Sequence, residues 1–270
     1  MRLGLSSWAF AWAVGVPGSE PEHPLTAVGL LRRADTLGVR LVQFADNLPL
    51  HRLSSTELDE VEVEARRLEI AIEVGTRGIS RENLETYLEL ARRFSSPILR
   101  VVLDTSAQQP APEEVVSLLR PLVNAFERAA VTLAIENHDR FPCRTLVDII
   151  RRLESRNVGI CLDTVNSFGC LESPDVVVSE LGPYTVNLHV KDFKIRRPSH
   201  SMGFLIEGAP AGQGRLDVPW VLRTLKEMGR DVNAILEQWP SPEASLDQTI
   251  AKESRWAEES VRYLRTLITE

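Results

Sequence analysis

Eight times along this chain, a short run of aliphatic and β-branched residues is followed by a longer stretch with apolar residues at helical spacing. A strand buried on both faces has to be aliphatic throughout, and a parallel neighbour is reached only through a crossover, usually a helix. The runs predict strands at 3–7, 41–45, 70–74, 98–103, 132–136, 159–163, 185–190 and 233–237. Helical spacing predicts helices at 26–37, 55–68, 81–94, 112–130, 144–155, 174–181, 217–228 and 245–267. Eight alternating pairs favour a closed barrel over an open doubly wound sheet. The expected fold class is therefore α/β, a single (β/α)8 TIM barrel, and 270 residues suit such a barrel of about 250.

Local signals agree with these boundaries. Ser80 before Arg81-Glu82-Asn83 is an N-cap candidate, and Pro112-Glu113-Glu114 places proline and two acids in a first turn. With no Gly/Ser linker and no internal repeat, residues 1–270 read as one domain. Residues 191–216, KDFKIRRPSHSMGFLIEGAPAGQGRL, carry four glycines and two prolines and exceed an ordinary βα connection. They read as an irregular lid over the barrel mouth.

Composition excludes several classes of function. A net charge of −7 and a pI near 5.4 disfavour nucleic acid as partner. No apolar run reaches membrane-spanning length, so no membrane partner is expected. The apolar stretch near the N-terminus resembles a signal segment, but the alternation over 3–7 suits a first strand better. Cys143, Cys161 and Cys170 have neither CxxC spacing nor an even count, which points to packing roles and a reducing, cytoplasmic setting.

In a barrel of this kind the site lies where strands end at their C-terminal side. The fifth predicted strand ends in Glu136-Asn137-His138, the sixth in Asp163, the seventh in His189 and the eighth in Glu237. Each follows apolar residues, and a charged group at the end of a buried strand needs a partner. A shared cation supplies one. Three carboxylates and one imidazole suit a single divalent ion, Mn2+ first, with Mg2+ or Co2+ as alternatives, and the lack of thiolates argues against structural zinc. Any one of these residues alone reads more often as a cap, an ion pair or a structural histidine, and it is their coincidence on consecutive strands that points to function.

The pattern ENH, DTVN, HVKD and EQW at four successive strand ends resembles the xylose isomerase-like TIM-barrel superfamily, which holds sugar and sugar-phosphate isomerases, ketose 3-epimerases and hydroxypyruvate isomerase-like proteins. The resemblance spans nearly the whole chain. It implies that Glu136, Asp163, His189 and Glu237 bind one metal, and that Glu136 and Glu237 act as acid and base on opposite faces of the substrate. The chain departs from the epimerase pattern at Asn166, where many relatives place a histidine.

Around this set, His138, Asn166 and Lys191 are candidate substrate-binding residues, and the resemblance implies that Lys191 and Asp192, directly after His189, point into the mouth. Arg196, beside Arg197 in the lid, could grip a carboxylate or phosphate. Trp8 and Trp239 could wall a sugar face. The expected activity is metal-dependent isomerisation or epimerisation of a small ketose, keto-sugar acid or sugar phosphate through an enediolate. The alternative is a lyase, decarboxylase or dehydratase, acting on a 3-keto sugar acid, since the same stabilised anion forms when CO2 leaves. Cleavage of abasic DNA would need a histidine-rich multi-metal cluster, and five histidines in all do not supply it. Assembly into a dimer or tetramer is expected from the resemblance only.

Overall fold

A computed structural model of the chain describes residues 1–269. Eight parallel strands close into a barrel: β1 (Leu3–Ser6), β2 (Leu41–Phe44), β3 (Ala71–Arg77), β4 (Ile98–Val102), β5 (Thr132–Glu136), β6 (Val158–Asp163), β7 (Thr185–Val190) and β10 (Ala234–Leu236). Each pairs with its neighbours in chain order, and β10 closes on β1 through Leu3, Gly4 and Leu5 opposite Ala234, Ile235 and Leu236. The strands are almost wholly buried, as their aliphatic composition requires.

The outer helices are α1 (Ala11–Val14), α2 (Ala27–Thr36), α3 (Ser55–Arg67), α4 (Arg81–Arg93), α5 (Pro112–Leu119), α6 (Val123–Ala129), α7 (Cys143–Leu153), α8 (Pro174–Leu181), α9 (Val218–Glu227) and α10 (Leu246–Leu264). Ser80 caps α4 through its hydroxyl, which accepts from Asn83 N at 3.2 Å. Ser54 and Glu57 form a reciprocal capping box on α3. The continuous helix expected over 112–130 is broken into α5, a 3-10 turn at Arg120–Leu122, and α6. Pro121 lies in that turn, lacks the N–H that would bond the preceding helical turn, and so interrupts the ladder.

The stretch expected to be an irregular lid is instead an antiparallel hairpin, β8 (Asp192–Arg196) against β9 (Leu205–Ala209). Its alternation, Asp-Phe-Lys-Ile-Arg, is strand-like but lies directly after β7, where it reads as part of a loop. Asp192 holds the return of the chain. Its carboxylate accepts from the backbone N–H of Gly212, Gly214 and Leu216 at 2.9, 2.9 and 3.0 Å. Gly208 brings β9 against Trp239: a Cβ there would lie 2.6 Å from the Trp239 carbonyl oxygen.

The strands that build the site are in close register. Glu136 sits opposite Cys161, Asp163 opposite His189, and Ile235 opposite His189, so the ends of β5, β6, β7 and β10 reach one level. A register irregularity between Ile160 and Cys161 adjusts β6 against β7 just below Asp163 and His189. Such bulges recur beside active sites because they re-aim side chains.

Candidate active site

Glu136, Asp163, His189 and Glu237 converge at the C-terminal mouth, all buried. His189 Nδ1 lies 3.5 Å from Glu136 Oε2, 3.8 Å from Asp163 Oδ2 and 3.4 Å from Glu237 Oε1. One ligand atom from each of Asp163, His189 and Glu237 falls within 4.8 Å of the others. His189 Nδ1 and Glu237 Oε1 make no hydrogen bond despite their burial. Orphaned polar atoms of this kind are costly, and a cation shared with the carboxylates would satisfy them. The four residues therefore fit a divalent metal ion.

Two cations already reach into the cluster. Lys191 Nζ lies 2.9 Å from Asp163 Oδ2 and 2.8 Å from Glu237 Oε2, and 3.3 Å from Asn166 Oδ1. Arg100, on β4, donates from Nε to Glu136 Oε2 and from Nη1 to Asp46 Oδ1 at 2.6 Å. Gly75 leaves room for the Arg100 stem, since a Cβ at that position would lie 3.2 Å from Arg100 Cδ. Asp46 also pairs with Arg77 Nε at 3.0 Å and accepts from Trp8 Nε1 at 3.2 Å.

These charges shape the ionisation of the carboxylates. Burial acts to raise the pKa of Glu237, but His189, Lys191 and Arg100 outweigh it and hold the carboxyl down at about 2. Burial likewise acts to raise Asp46, and Arg100 and Arg77 overcome it to hold this carboxyl well below the usual range. Cys161, close to Glu136 and His189, moves the other way: burial, then the Glu136 charge, push its thiol well up. Its Sγ–H donates to Asn187 Oδ1 at 3.5 Å, so it stands as a protonated thiol donor.

Above the cluster lies a cavity of about 460 Å3, walled in part by Trp8, Arg77, His138, Asn166, Ile206 and Trp239. Ile206 belongs to β9, so the hairpin forms one side of the cavity. Arg100, Glu136, Lys191 and Glu237 open onto it from below. His138 bonds its neighbour Asp139, and Asn166 donates from Nδ2 to Glu136 Oε1 at 2.7 Å. The structure thus brings together Glu136, Asp163, His189, Glu237, His138, Asn166, Lys191, Trp8 and Trp239.

It does not bring Arg196 to the cavity. That guanidinium is gripped by Glu207 across the hairpin, with Nη2 2.8 Å from Oε1. Asp192 turns away from the mouth to bind backbone N–H groups. Sequence reasoning missed Arg100, Asp46 and Arg77, together with a polar layer beneath the cluster formed by Gln43, Glu73, Asn187 and Asn233. The signal was present: Arg100, Gln43, Glu73 and Asn187 are polar residues inside otherwise aliphatic strand runs.

The chain belongs to the xylose isomerase-like TIM barrel family, whose sequence profile matches residues 32–267. It is similar to 3-oxo-isoapionate decarboxylase of Pectobacterium atrosepticum, at 31% identity over 266 residues, 98% of this chain and 96% of that protein. In fold it is similar to D-psicose 3-epimerase of Clostridium cellulolyticum H10 bound to D-tagatose, with a TM-score of 0.73, 16% identity, and 99% of each chain covered. A xylose isomerase-like TIM barrel protein of Mycobacterium smegmatis in complex with magnesium superposes with a TM-score of 0.70 at 17% identity over 97% of each chain.

Proposed function

We propose that this protein is a divalent-metal-dependent lyase that releases CO2 from a 3-oxo sugar acid, the alternative to the isomerase reading that its sequence favours. The observation that carries this is the state of Glu136. Its Oε2 accepts from Arg100 and its Oε1 from Asn166. An epimerase of the expected kind needs two carboxylates free to exchange protons with opposite faces of a sugar, and here one is committed to fixed donors. Loss of CO2 needs no base at all. The similarity to a decarboxylase over nearly the full length of both chains supports the same choice.

The charge balance supports an anionic substrate. Asp46, Glu136, Asp163 and Glu237 face the three permanent cations Arg77, Arg100 and Lys191. A divalent ion turns that single negative excess into a single positive one, which one substrate carboxylate neutralises.

Glu136, Asp163, His189 and Glu237 would hold the ion, with Mn2+ the first candidate. Bound there, it supplies Lewis-acid stabilisation of negative charge on the 3-oxo oxygen. In the reaction the C1–C2 bond breaks, its electron pair becomes the C2–C3 double bond of an enolate, and CO2 leaves. Lys191, whose Nζ faces the cavity between Asp163 and Glu237, donates a proton to C2 and regains one from water. Trp8, Trp239 and Ile206 shield the anion from bulk water, which strengthens the electrostatic terms.

The test is incubation of metal-loaded protein with 3-oxo sugar acids, ketoses and sugar phosphates in D2O, following CO2 release and deuterium incorporation by NMR. CO2 released only from the 3-oxo acids, with one deuterium placed at C2, supports the proposal. Deuterium exchange into an intact ketose without CO2 would return the protein to the isomerases.

A further inference from the structure

Beneath the candidate metal ligands lies a layer of side chains that sets which nitrogen of His189 is free. His189 Nε2 is 2.7 Å from Gln43 Oε1, on the side away from the carboxylates. The Gln43 amide is itself fixed, because its Nε2 donates to Glu73 Oε2 and to Asn187 Oδ1, both at 3.0 Å. Asn187 Nδ2 donates to the same Glu73 oxygen at 2.9 Å, and Asn233 Nδ2 donates to Glu73 Oε1 at 2.8 Å. Gln43, Glu73, Asn187 and His189 are all fully buried, so water cannot substitute for a lost partner.

We infer that Glu73 is a positioning residue that selects the His189 tautomer through Gln43. The logic is one of donors and acceptors. Every polar contact of Glu73 is with an amide, and a carboxylate only accepts. Gln43 and Asn187 must therefore turn their NH2 groups towards it. Gln43 then has only its carbonyl oxygen left for His189, which obliges Nε2 to carry the proton. Nδ1 keeps its lone pair, and Nδ1 is the nitrogen that faces Glu136, Asp163 and Glu237. A reversed Gln43 would set its oxygen against Glu73 Oε2 and Asn187 Oδ1 with no proton between them. The tautomer that can ligate a metal is thus fixed before any metal arrives, by a carboxylate that touches neither metal nor substrate.

This inference rests on the metal reading for its purpose but not for its geometry, so the two can fail separately. Metal-free wild-type protein, 15N-labelled and held above the pH range in which imidazole titrates, is examined by long-range 1H–15N correlation. The five histidines are few enough for His189 to be assigned by its loss in a His189→Gln variant. The expected spectrum has a protonated Nε2 and a bare Nδ1. In Glu73→Leu and Gln43→Leu variants, both tautomers should appear, and the Mn2+ affinity read by calorimetry should fall about 10- to 100-fold. A protonated Nδ1 in the wild type overturns the inference without recourse to any variant. So does a folded Glu73→Leu protein that keeps the wild-type tautomer and Mn2+ affinity. The expected wild-type tautomer in a protein that takes up no Mn2+ supports the inference and sinks the metal reading instead.

Discussion

Substituting methionine for Arg100 removes the centre of a buried charge network while keeping an unbranched stem of similar reach. The Arg100 side chain is 3% exposed and that of Glu136 1%. The guanidinium binds Glu136 through Nε and Asp46 through Nη1, and its proton is held far more tightly than usual: burial opposes the charge, but Glu136 and Asp46 overcome it. After the change, Asp46 keeps Arg77 and Trp8, and Glu136 keeps only the Asn166 amide. Breaking one partner out of a buried pair costs about 3–5 kcal/mol. For a chain of this size each kcal/mol moves Tm by about 2–4 °C, so the metal-free variant should melt about 6–20 °C below wild type. Urea and thermal unfolding in the presence of a chelator measure the gap. Mn2+ should then narrow it, because a cluster robbed of one cation gains more from another. A loss under about 1 kcal/mol, or a gap that Mn2+ leaves unchanged, would refute the reasoning and show Glu136 to be better solvated than its burial indicates.

Three further outcomes are expected. Lys191→Met should lower the rate of CO2 release by at least about 100-fold while tightening Mn2+ binding in calorimetry, since Nζ no longer competes for Asp163 and Glu237. Asp192→Ala should cost at least about 2 kcal/mol and speed amide hydrogen exchange at Gly212, Gly214 and Leu216, whose N–H groups it binds. Burial raises the Glu253 pKa from 4.5 to about 7, against the Trp12 and Ala13 N–H groups and Arg33, which act to lower it. The protonated form is thus favoured by folding: the contribution, about 3 kcal/mol, is fully present below pH 4.5 and is lost as pH rises through 7. Urea unfolding from pH 5 to 9 should show that decline in wild type and its absence in Glu253→Gln.

What could be read from the sequence followed from how local each signal is. The strands and most helices declare themselves within a window of ten residues, and four ligand candidates fall at strand ends because the barrel places its chemistry there. The hairpin over 192–209 was hidden because an antiparallel pair depends on contacts across its own loop, and Arg196 was misread because its partner Glu207 lies on the opposite strand. Arg100, Gln43 and Glu73 stood out as polar residues in aliphatic runs, yet nothing local says which strand's side chain each will meet. Their partners, Glu136, His189 and Asn187, are 36, 146 and 114 positions away. Such pairings come from barrel closure, which no short window contains.

Closure also explains why the site is built in two levels. At the lower level, Gln43 and Glu73 are direct register partners on β2 and β3, and Cys161 and Asn187 on β6 and β7, so amides and one carboxylate meet across the barrel axis. At the upper level Asp163 and His189 are register partners, with Glu136 and Glu237 beside them. The lower level has no mobile charge and presents one acceptor upward, Gln43 Oε1 to His189 Nε2; the upper level has excess carboxylate and lacks hydrogen bonds at His189 Nδ1 and Glu237 Oε1. A fully satisfied floor rigidifies a buried polar network, and unsatisfied atoms at its roof are where a ligand gains most. The same division accounts for the two cations. Arg100 is locked from the side by Asp46 and Glu136 and so serves the frame, whereas Lys191 is held by the two carboxylates a metal would claim and by the Asn166 amide oxygen at the cavity wall. Metal uptake would therefore leave Arg100 in place and free Lys191 towards the cavity, which puts the one mobile cation of the site where the substrate anion must lie.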